Sequence, residues 1–197
     1  ITIRANFLEI YNEQANDLLN LQSVNLPVRW SNRDGFFVEN LFVVECESYG
    51  DMMAVVQEGI SNRKVSAHEL NKDSSRSHSI FTVYFDIETT DLSDGYTSVK
   101  YGKTHFVDLA GSERLKESKS KGGNAVETGH INKSLLTLGK VISILSDSKK
   151  INGYIPYRDS KLTQLLMDSL GGNSKTIMIA CVTPSQMYAD ETVNTLK

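Results

Sequence analysis

The sequence predicts an α/β fold in a single domain, and two observations lead to this prediction. Apolar runs such as Thr104–Asp108 enter loops rich in glycine and serine, as a buried strand does when its carboxyl end opens toward a ligand. Elsewhere, apolar residues recur at intervals of three and four, which is the spacing of a helix with one buried face. The clearest such stripe predicts a helix at His130–Asp147: Ile131, Leu135, Leu138, Ile142 and Leu145.

Length and composition are those of a globular domain. The 197 residues are long enough for one domain with a substantial core, and 40% of them are hydrophobic and 23% charged. No apolar run approaches the roughly 20 residues of a membrane span, and no signal peptide opens the chain, so we predict no membrane partner. Cys46 and Cys181 lie far apart in apolar runs without metal spacing, and we expect both to be buried thiols.

Short elements and one helix are predicted in the first third of the chain. The short elements are a strand at Ile1–Tyr11, a helix at Asn12–Leu19 capped by Asn12, a hairpin of Val28–Trp30 with Phe36–Val38, and a strand at Leu41–Val44. Ser48 and Asp51 have the spacing of a capping box, which predicts a helix that continues to about Asn62.

A second hairpin is predicted in the middle of the chain. Phe81–Glu88 alternates apolar and polar side chains, Asp94-Gly95 supplies a turn, and Val99–Asp108 returns antiparallel. The returning strand contains Gly102-Lys103-Thr104, which looks like the end of a Walker A motif. Thr97 stands where that motif requires glycine, and the segment does not lie between a strand and a helix. We therefore predict no phosphate-binding loop there.

Three elements are predicted after the long helix. They are a helix that begins at Asp159 or Ser160 and stops at Gly171-Gly172, a strand at Thr176–Val182, and a last helix at Asp190–Lys197. The Thr176–Val182 run is continuously apolar, which is typical of a strand buried on both faces of a sheet.

Two polar loops carry the candidate chemistry. A lone carboxylate at a strand end, such as Asp108, can hold a hydrated Mg²⁺, and Gly111 lets a backbone N–H approach an anion. Taken alone, an ordinary strand-to-loop turn with an Asp cap explains this stretch equally well. The segment Asn71–His78 offers hydroxyls for a cation and donors for phosphate oxygens, whereas a solvated serine loop would leave Arg76 without a role.

These loops resemble the two switch loops of the kinesin motor domain. Asn71–His78 reads N-K-D-S-S-R-S-H, and Asp108–Glu113 reads D-L-A-G-S-E. Ile131–Leu135 (I-N-K-S-L) and Tyr154–Leu162 (Y-I-P-Y-R-D-S-K-L) look like two further kinesin signatures in the same order. The resemblance covers nearly the whole chain. It implies a partial kinesin-type P-loop NTPase fold, whose central mixed sheet is flanked by helices, with the N-terminal strands missing.

The resemblance also implies site roles, because kinesins are Mg-ATP hydrolases that pull on microtubules. Asn71 and Ser74 would contact the γ-phosphate or its waters, and Ser75 would reach Mg²⁺. Asp108 would hold that ion through water, and Gly111 would offer its N–H to the γ-phosphate. Arg76 and Glu113 would pair when the switches close, and the pair would position the attacking water. The expected location of such a protein is the cytoplasm, on the cytoskeleton.

A basic surface predicts an acidic partner. From Gly111 to Lys161 there are ten Lys/Arg against five Asp/Glu, a local charge of +5, whereas the net charge of the chain is −3. At 100° per residue Lys133 and Lys140 lie opposite the apolar stripe, flanked by Leu136 and Ile144. Scattered surface aliphatics are the plainer explanation, but a basic ridge with apolar shoulders favours a docking surface.

In kinesins this region meets acidic tubulin, which adds Arg158 and Lys161 to the expected microtubule-binding residues. Gln164 is neutral where many kinesins carry another arginine, which weakens that expectation locally. A nucleic-acid partner is disfavoured because the lysines lack interleaved aromatic residues.

The departure from the family pattern is an absence. No G-x-x-x-x-G-K-[ST] occurs in the sequence, although that loop supplies much of the phosphate affinity of P-loop proteins. We therefore expect the chain to be the C-terminal portion of a motor head that does not itself bind ATP tightly. The alternative is a microtubule-binding module that naturally lacks the loop. In the kinesin fold, the strands beside the one that matches Thr176–Val182 come from the part of the head upstream of Ile1, so the resemblance implies that Thr176–Val182 has no native neighbour here. We therefore expect it to pair with a non-native partner, to swap segments into a dimer, or to lack order.

Overall fold

The computed structural model describes residues 1–69, 76–91, 93, 95–112 and 123–196, and within them the side chains of all but 66–69, 123–132 and 194. The described chain divides into two compact units. One comprises residues 1–29 and 38–109, and the other comprises residues 30–37 and 110–197. Sheet and helices are both present, as the α/β prediction requires.

The first unit is built on a sheet in the order β2-β1-β6-β7, with β5 also paired to β1. Its strands are β1 (Thr2–Tyr11), β2 (Gln14–Asp17), β5 (Val44–Glu45), β6 (His78–Thr90) and β7 (Thr97–Asp108). A separate two-stranded sheet consists of β3 (Val28–Ser31) and β4 (Gly35–Val38), the hairpin that the sequence predicts. The ladders of the larger sheet are antiparallel among the described residues.

The β6–β7 hairpin confirms its prediction and is longer than expected. Its register runs from Ser79 opposite Asp108 to Thr90 opposite Thr97, which spans twelve pairs. The inner strand β6 also pairs with β1 over nine positions, so the first half of β6 is buried while much of β7 is exposed. The sheet therefore carries Asp108 at the end of its outer strand.

The helix predicted at Asn12–Leu19 is wrong, because this segment turns back and forms strand β2. Asn12 and Glu13 both have positive φ angles, 54° and 57°, and they reverse the chain so that Gln14 pairs with Tyr11. The Asp17 carboxylate then accepts hydrogen bonds from the backbone N–H groups of Leu19, Asn20 and Phe42. Local polar side chains thus replace helical hydrogen bonding here.

The strand predicted at Leu41–Val44 is also displaced. Only Val44 and Glu45 pair with β1, opposite Ala5 and Arg4. The backbone N–H of Phe42 donates to Asp17 at 2.7 Å, so this residue is held by a side chain and not by a ladder.

Helix α1 (Tyr49–Glu69) begins as predicted and continues beyond the expected end. Ser48 accepts from the Asp51 backbone at 3.1 Å, and the Asp51 carboxylate accepts from the Ser48 backbone at 2.9 Å, which completes the capping box. The helix packs on β1 so closely that a Cβ at Gly59 would overlap the ring of Phe7. Val55 of the helix forms a small core with Ala5 of β1 and Cys46.

The second unit contains most of the β3–β4 hairpin, within residues 30–37, and is otherwise helical. Its elements are α2 (Gly123–Leu145), a 3-10 turn (Tyr157–Asp159), α3 (Lys161–Leu165), α4 (Met167–Gly171), a 3-10 turn (Gln186–Tyr188) and α5 (Ala189–Leu196). The hydroxyl of Ser160 accepts from the Leu162 backbone at 3.2 Å, which confirms the predicted N-cap. The helix expected from there to Gly171-Gly172 is broken into α3 and α4 at Leu166, where ψ is 3°.

The strand predicted at Thr176–Val182 is not formed. The segment belongs to no ladder of the described residues, and Ile177 and Ile179 are 90% and 84% exposed. Cys181 is exposed with it, contrary to expectation, whereas Cys46 is buried. A strand of this composition needs partners on both edges, and no described strand lies in register beside it. Among the described helices, none is long and apolar enough to cross a membrane.

Candidate functional site

Asp108 is held by an arginine that the sequence analysis did not single out. Asp108 ends β7, and its Oδ2 accepts a hydrogen bond from Nη1 of Arg63 at 2.6 Å. The two partners differ in environment, because the Asp108 side chain is 70% exposed and the Arg63 side chain only 15%. The carboxylate is therefore anchored from the protein side and open on the other.

The guanidinium of Arg63 joins three elements. Besides Asp108 on β7, it donates from Nη1 to Ser79 Oγ at 3.0 Å and from Nη2 to the Ser77 carbonyl at 3.0 Å. Helix α1, which carries Arg63, is thereby tied to the start of β6 and the end of β7. We call these contacts of Arg63 the clamp. They were hard to predict from the sequence, because α1 was expected to stop at Asn62, one residue earlier.

His78 lies inside this arrangement and is uncharged at neutral pH. Its pKa is lowered from 6.5 to about 4, chiefly because burial disfavours the charged imidazolium. The positive charge of Arg63 adds to this effect, and the negative charge of Asp108 opposes it. The positive charge beside Asp108 therefore resides on the arginine and not on the histidine.

The structure describes only some of the other residues that were predicted to contact the nucleotide. Arg76 and Gly111 are both half-buried. Asn71, Ser74, Ser75 and Glu113 lie outside the described residues. In the described part of the chain, no group of three or more His, Cys, Asp or Glu side chains could hold a metal ion. An exposed single carboxylate such as Asp108 suits a hydrated Mg²⁺, because this cation keeps several waters and takes few protein ligands.

The basic face of α2, formed by Lys133 and Lys140, is exposed, as the helical spacing predicts. Lys133 and Lys140 are exposed, while Ser134, Leu138 and Val141 are buried on the other side of the helix. Of the two aliphatic shoulders, Leu136 is 62% exposed and Ile144 is half-buried. The face thus combines lysines with one large exposed apolar side chain.

Arg158 and Lys161 follow at the turn that precedes α3. Arg158 is exposed and its guanidinium carbon lies 5.6 Å from the centroid of the Phe36 ring. Nε2 of Gln164 donates to the Arg158 carbonyl at 3.0 Å, so the neutral residue supports the backbone of the charged one. Lys161, the first residue of α3, is half-buried. Phe36 was predicted as a strand residue only.

These features define an α/β protein whose polar residues gather at a strand end and whose helical unit bears a basic face. The family model that describes the kinesin motor domain matches residues 1–197. The chain belongs to the kinesin motor-domain family.

Its relatives and structural neighbours are kinesins. The chain is 48% identical to the kinesin-like protein KIF12 of Mus musculus over 204 residues, which is 100% of this chain and 31% of that protein. It is 50% identical over 197 residues to the kinesin-like protein KIN-12E of Arabidopsis thaliana, of which it spans 15%. The structure of a fast kinesin matches 99% of this chain with a TM-score of 0.87 at 42% identity. The chain spans 53% of that structure, so it corresponds to part of a longer motor in each comparison.

Proposed function

We propose that this chain is the switch-bearing, microtubule-facing part of a motor that couples Mg-ATP hydrolysis to movement along microtubules. The single observation that carries this proposal is the anchored but exposed carboxylate of Asp108 at the end of β7. It lies three residues before Gly111 in sequence and opposite Ser79, which follows the serine loop. Family membership and the fast kinesin, described with implications for ATPase mechanism and interactions with microtubules, support the same assignment.

In the whole motor, we assign the nucleotide contacts to both switch loops. Asn71 and Ser74 bind the γ-phosphate or its waters, Ser75 binds Mg²⁺, and Asp108 holds the hydrated ion through water. The Gly111 N–H donates to the γ-phosphate, and bound Mg²⁺ supplies charge neutralisation during phosphoryl transfer. Arg63 keeps the Asp108 carboxylate at the end of β7 by a bond that needs no nucleotide.

Hydrolysis requires a closed state, which we assign to the pairing of Arg76 with Glu113. Such a pair orients water only when the loops close around the γ-phosphate. In the full-length parent, Arg76→Ala or Glu113→Ala should leave ATP binding largely intact and slow hydrolysis by orders of magnitude. Single-turnover kinetics with labelled ATP separate these two effects. Normal hydrolysis in both variants would refute the switch assignment.

The 197-residue chain itself is expected to bind Mg-ATP too weakly to measure at physiological concentrations. Its sequence contains no G-x-x-x-x-G-K-[ST] motif, whose backbone N–H groups and lysine bind phosphates in P-loop proteins. Isothermal titration calorimetry with Mg-ATP tests this, and a micromolar dissociation constant would contradict it. Absent nucleotide binding with strong microtubule binding is also the result expected of a nucleotide-independent microtubule-binding module.

Microtubule binding is assigned to Lys133, Lys140, Arg158 and Lys161, with the exposed Leu136 as an apolar contact. Charge attraction of this kind weakens steeply with salt. Changing Lys133, Arg158 and Lys161 to glutamate should abolish co-sedimentation with microtubules at low salt. A control triple variant changes the exposed Lys64, Lys100 and Lys175 to glutamate, with the same change in net charge. Equal pelleting of both variants would show that the basic face does not bind.

A further inference from the structure

The hairpin formed by β3 and β4 reaches the turn that carries Arg158. The guanidinium carbon of Arg158 lies over the ring of Phe36, 5.6 Å from its centroid, and both residues belong to the same compact unit. A cation within about 6 Å of an aromatic face is attracted by the negative potential of the ring. Phe36 therefore acts on the one arginine of the proposed microtubule-binding set.

The ring of Phe36 is itself held in place. Trp30 packs against it edge to face, with ring centroids 4.8 Å apart and an interplanar angle of 66°. Next to Phe36, Gly35 has a φ of 70°, and a Cβ there would lie 2.8 Å from Oδ2 of Asp168. Any larger residue at this turn would be strained by the positive φ and would displace the Asp168 carboxylate. The hairpin tip thus lies close to α4 within the compact unit that also presents Arg158.

The backbone of Arg158 is fixed while its side chain remains exposed. Gln164 donates to the Arg158 carbonyl, and the Thr163 hydroxyl donates to the neighbouring Tyr157 carbonyl at 2.8 Å. The contact involves the ring of Phe36 and not a hydrogen-bond acceptor, so it uses none of the five N–H donors of the guanidinium. The ring restricts the arginine rotamers without consuming the groups that bind.

We propose that Phe36 is a positioning residue, which presents the Arg158 guanidinium to the carboxylates of the acidic partner surface. The inference rests on the proposed microtubule-binding function and names a residue outside the basic face that tunes it. A long exposed side chain loses rotamer freedom when it binds, and a side chain already restricted loses less. Phe36 therefore strengthens binding through Arg158 without contacting the partner.

The test compares microtubule co-sedimentation of Phe36→Leu and Phe36→Tyr, with Phe42→Leu as a matched control. Phe42 is 52% exposed, whereas Phe36 is half-buried, and Phe42→Leu makes the same exchange of ring for aliphatic side chain away from Arg158. Phe36→Leu should weaken binding about two- to fivefold at low salt, the range of an exposed cation–π contact. Phe36→Tyr keeps the ring face and should bind as the unaltered chain does, and so should Phe42→Leu.

A double-mutant cycle identifies the route of the effect. In an Arg158→Ala background, Phe36→Leu should cause no further loss, because the ring then has no cation to position. Arg158→Lys keeps the charge but lacks the planar group, and it should lose about as much affinity as Phe36→Leu. This second variant leaves the hairpin sequence unchanged, so it remains informative if Phe36→Leu lowers the thermal unfolding midpoint.

Failure of the inference is distinguishable from failure of the proposed function. If the glutamate variant of Lys133, Arg158 and Lys161 still pellets with microtubules, the proposed function is overturned. If that variant loses binding while Phe36→Leu binds normally, or loses equally in the Arg158→Ala background, only the positioning role of Phe36 is overturned. Normal binding of Arg158→Lys would overturn it as well.

Discussion

The β6–β7 hairpin and the Thr176–Val182 segment contain similar apolar sequences but differ completely in structure. Ile80 and Val83 on β6 are buried between β1 and β7, whereas Ile177 and Ile179 are almost fully exposed. The hairpin finds its partner a few residues away through a local turn, and β1 covers the other edge of β6. A strand that is paired on neither edge forms no ladder hydrogen bonds and buries little apolar area. Both regions therefore have a high strand propensity, and they differ in whether a neighbouring strand is available for pairing.

The largest expected difference between the two regions is in hydrogen exchange. Amides of Ile80–Phe85 should exchange only through global unfolding, while those of Ile177–Val182 should exchange nearly as fast as in a peptide. For a domain of ordinary stability this is a ratio on the order of 10⁴. Mass spectrometry with fragmentation at low protein concentration measures it, and equal protection of both regions would contradict the comparison.

Protein concentration sharpens this measurement. An exposed apolar segment that belongs to no ladder of the described residues is suited to pair with a second copy of the chain, and we propose this as its route of association. Protection of Ile177–Val182 should then rise with concentration, together with the mass seen by light scattering. Constant exchange and a constant monomer mass would exclude such pairing.

Matched aspartate substitutions test the same contrast through stability. Val83→Asp buries a charge in the sheet between β1 and β7 and should lower the free energy of unfolding by about 4 kcal/mol. Ile179→Asp makes a similar exchange of β-branched residue for charge at an exposed position, and its effect should stay within about 0.5 kcal/mol. Urea denaturation followed by circular dichroism gives both values. A large loss in Ile179→Asp would mean that the segment is buried in solution.

The hairpin should also respond to pH where the exposed segment does not. Because the pKa of His78 is lowered from 6.5 to about 4 in the folded chain, the unfolded chain binds the proton more readily. The stability that this group contributes is fully present above pH 6.5 and is lost as the pH falls toward 4. The loss is about 3 kcal/mol, from 1.36 kcal/mol for each unit of pKa.

The variant His78→Gln lacks the imidazole but keeps the carboxylates that titrate in the same pH range. The difference in stability between the two proteins therefore reports the contribution of His78. The urea midpoint of the unaltered chain should fall more steeply between pH 6.5 and 4.5 than that of the variant. Parallel pH profiles would show that His78 is protonated equally in the folded and unfolded chains.

A smaller effect is expected at the clamp that ties the hairpin to α1. Arg63→Ala removes hydrogen bonds to Asp108, Ser79 and the Ser77 carbonyl, and it should cost about 2 kcal/mol. Lys64→Ala is the control, because the exposed neighbouring lysine should change stability by less than about 0.5 kcal/mol. Exchange of amides near Ser79 should accelerate only in Arg63→Ala. An equal response of the two variants would rule out the clamp.

Sequence reasoning succeeded where the signal is local. The Ser48–Asp51 capping box, the Ser160 cap and both hairpins depend on residues within a few positions of each other. It failed at Asn12–Leu19, since two residues with positive φ reversed a segment whose composition also fits a helix. This error concerns a short segment in which one turn decides the structure, whereas the strand predicted at Thr176–Val182 failed because no described strand pairs with it.

The candidate site was predictable only in part for a similar reason. The motif residue Asp108 was identified from the sequence, but its partner Arg63 lies 45 positions earlier and meets it only after the sheet has formed. Phe36 and Arg158 are 122 positions apart, and neither carries a motif that points to the other. Contacts of this range depend on topology, which residue spacing does not encode.

Because α1 lies so close to β1, the size of one helix residue affects an ion pair one turn further along the helix. A methyl group at Gly59 would overlap the Phe7 ring, so the helix would have to lift away from the sheet there. Arg63 follows one turn later, about 6 Å along the helix axis, and would be withdrawn from Asp108 by the same movement. The size of the residue at position 59 is thus constrained by an ion pair to which Gly59 contributes no atom.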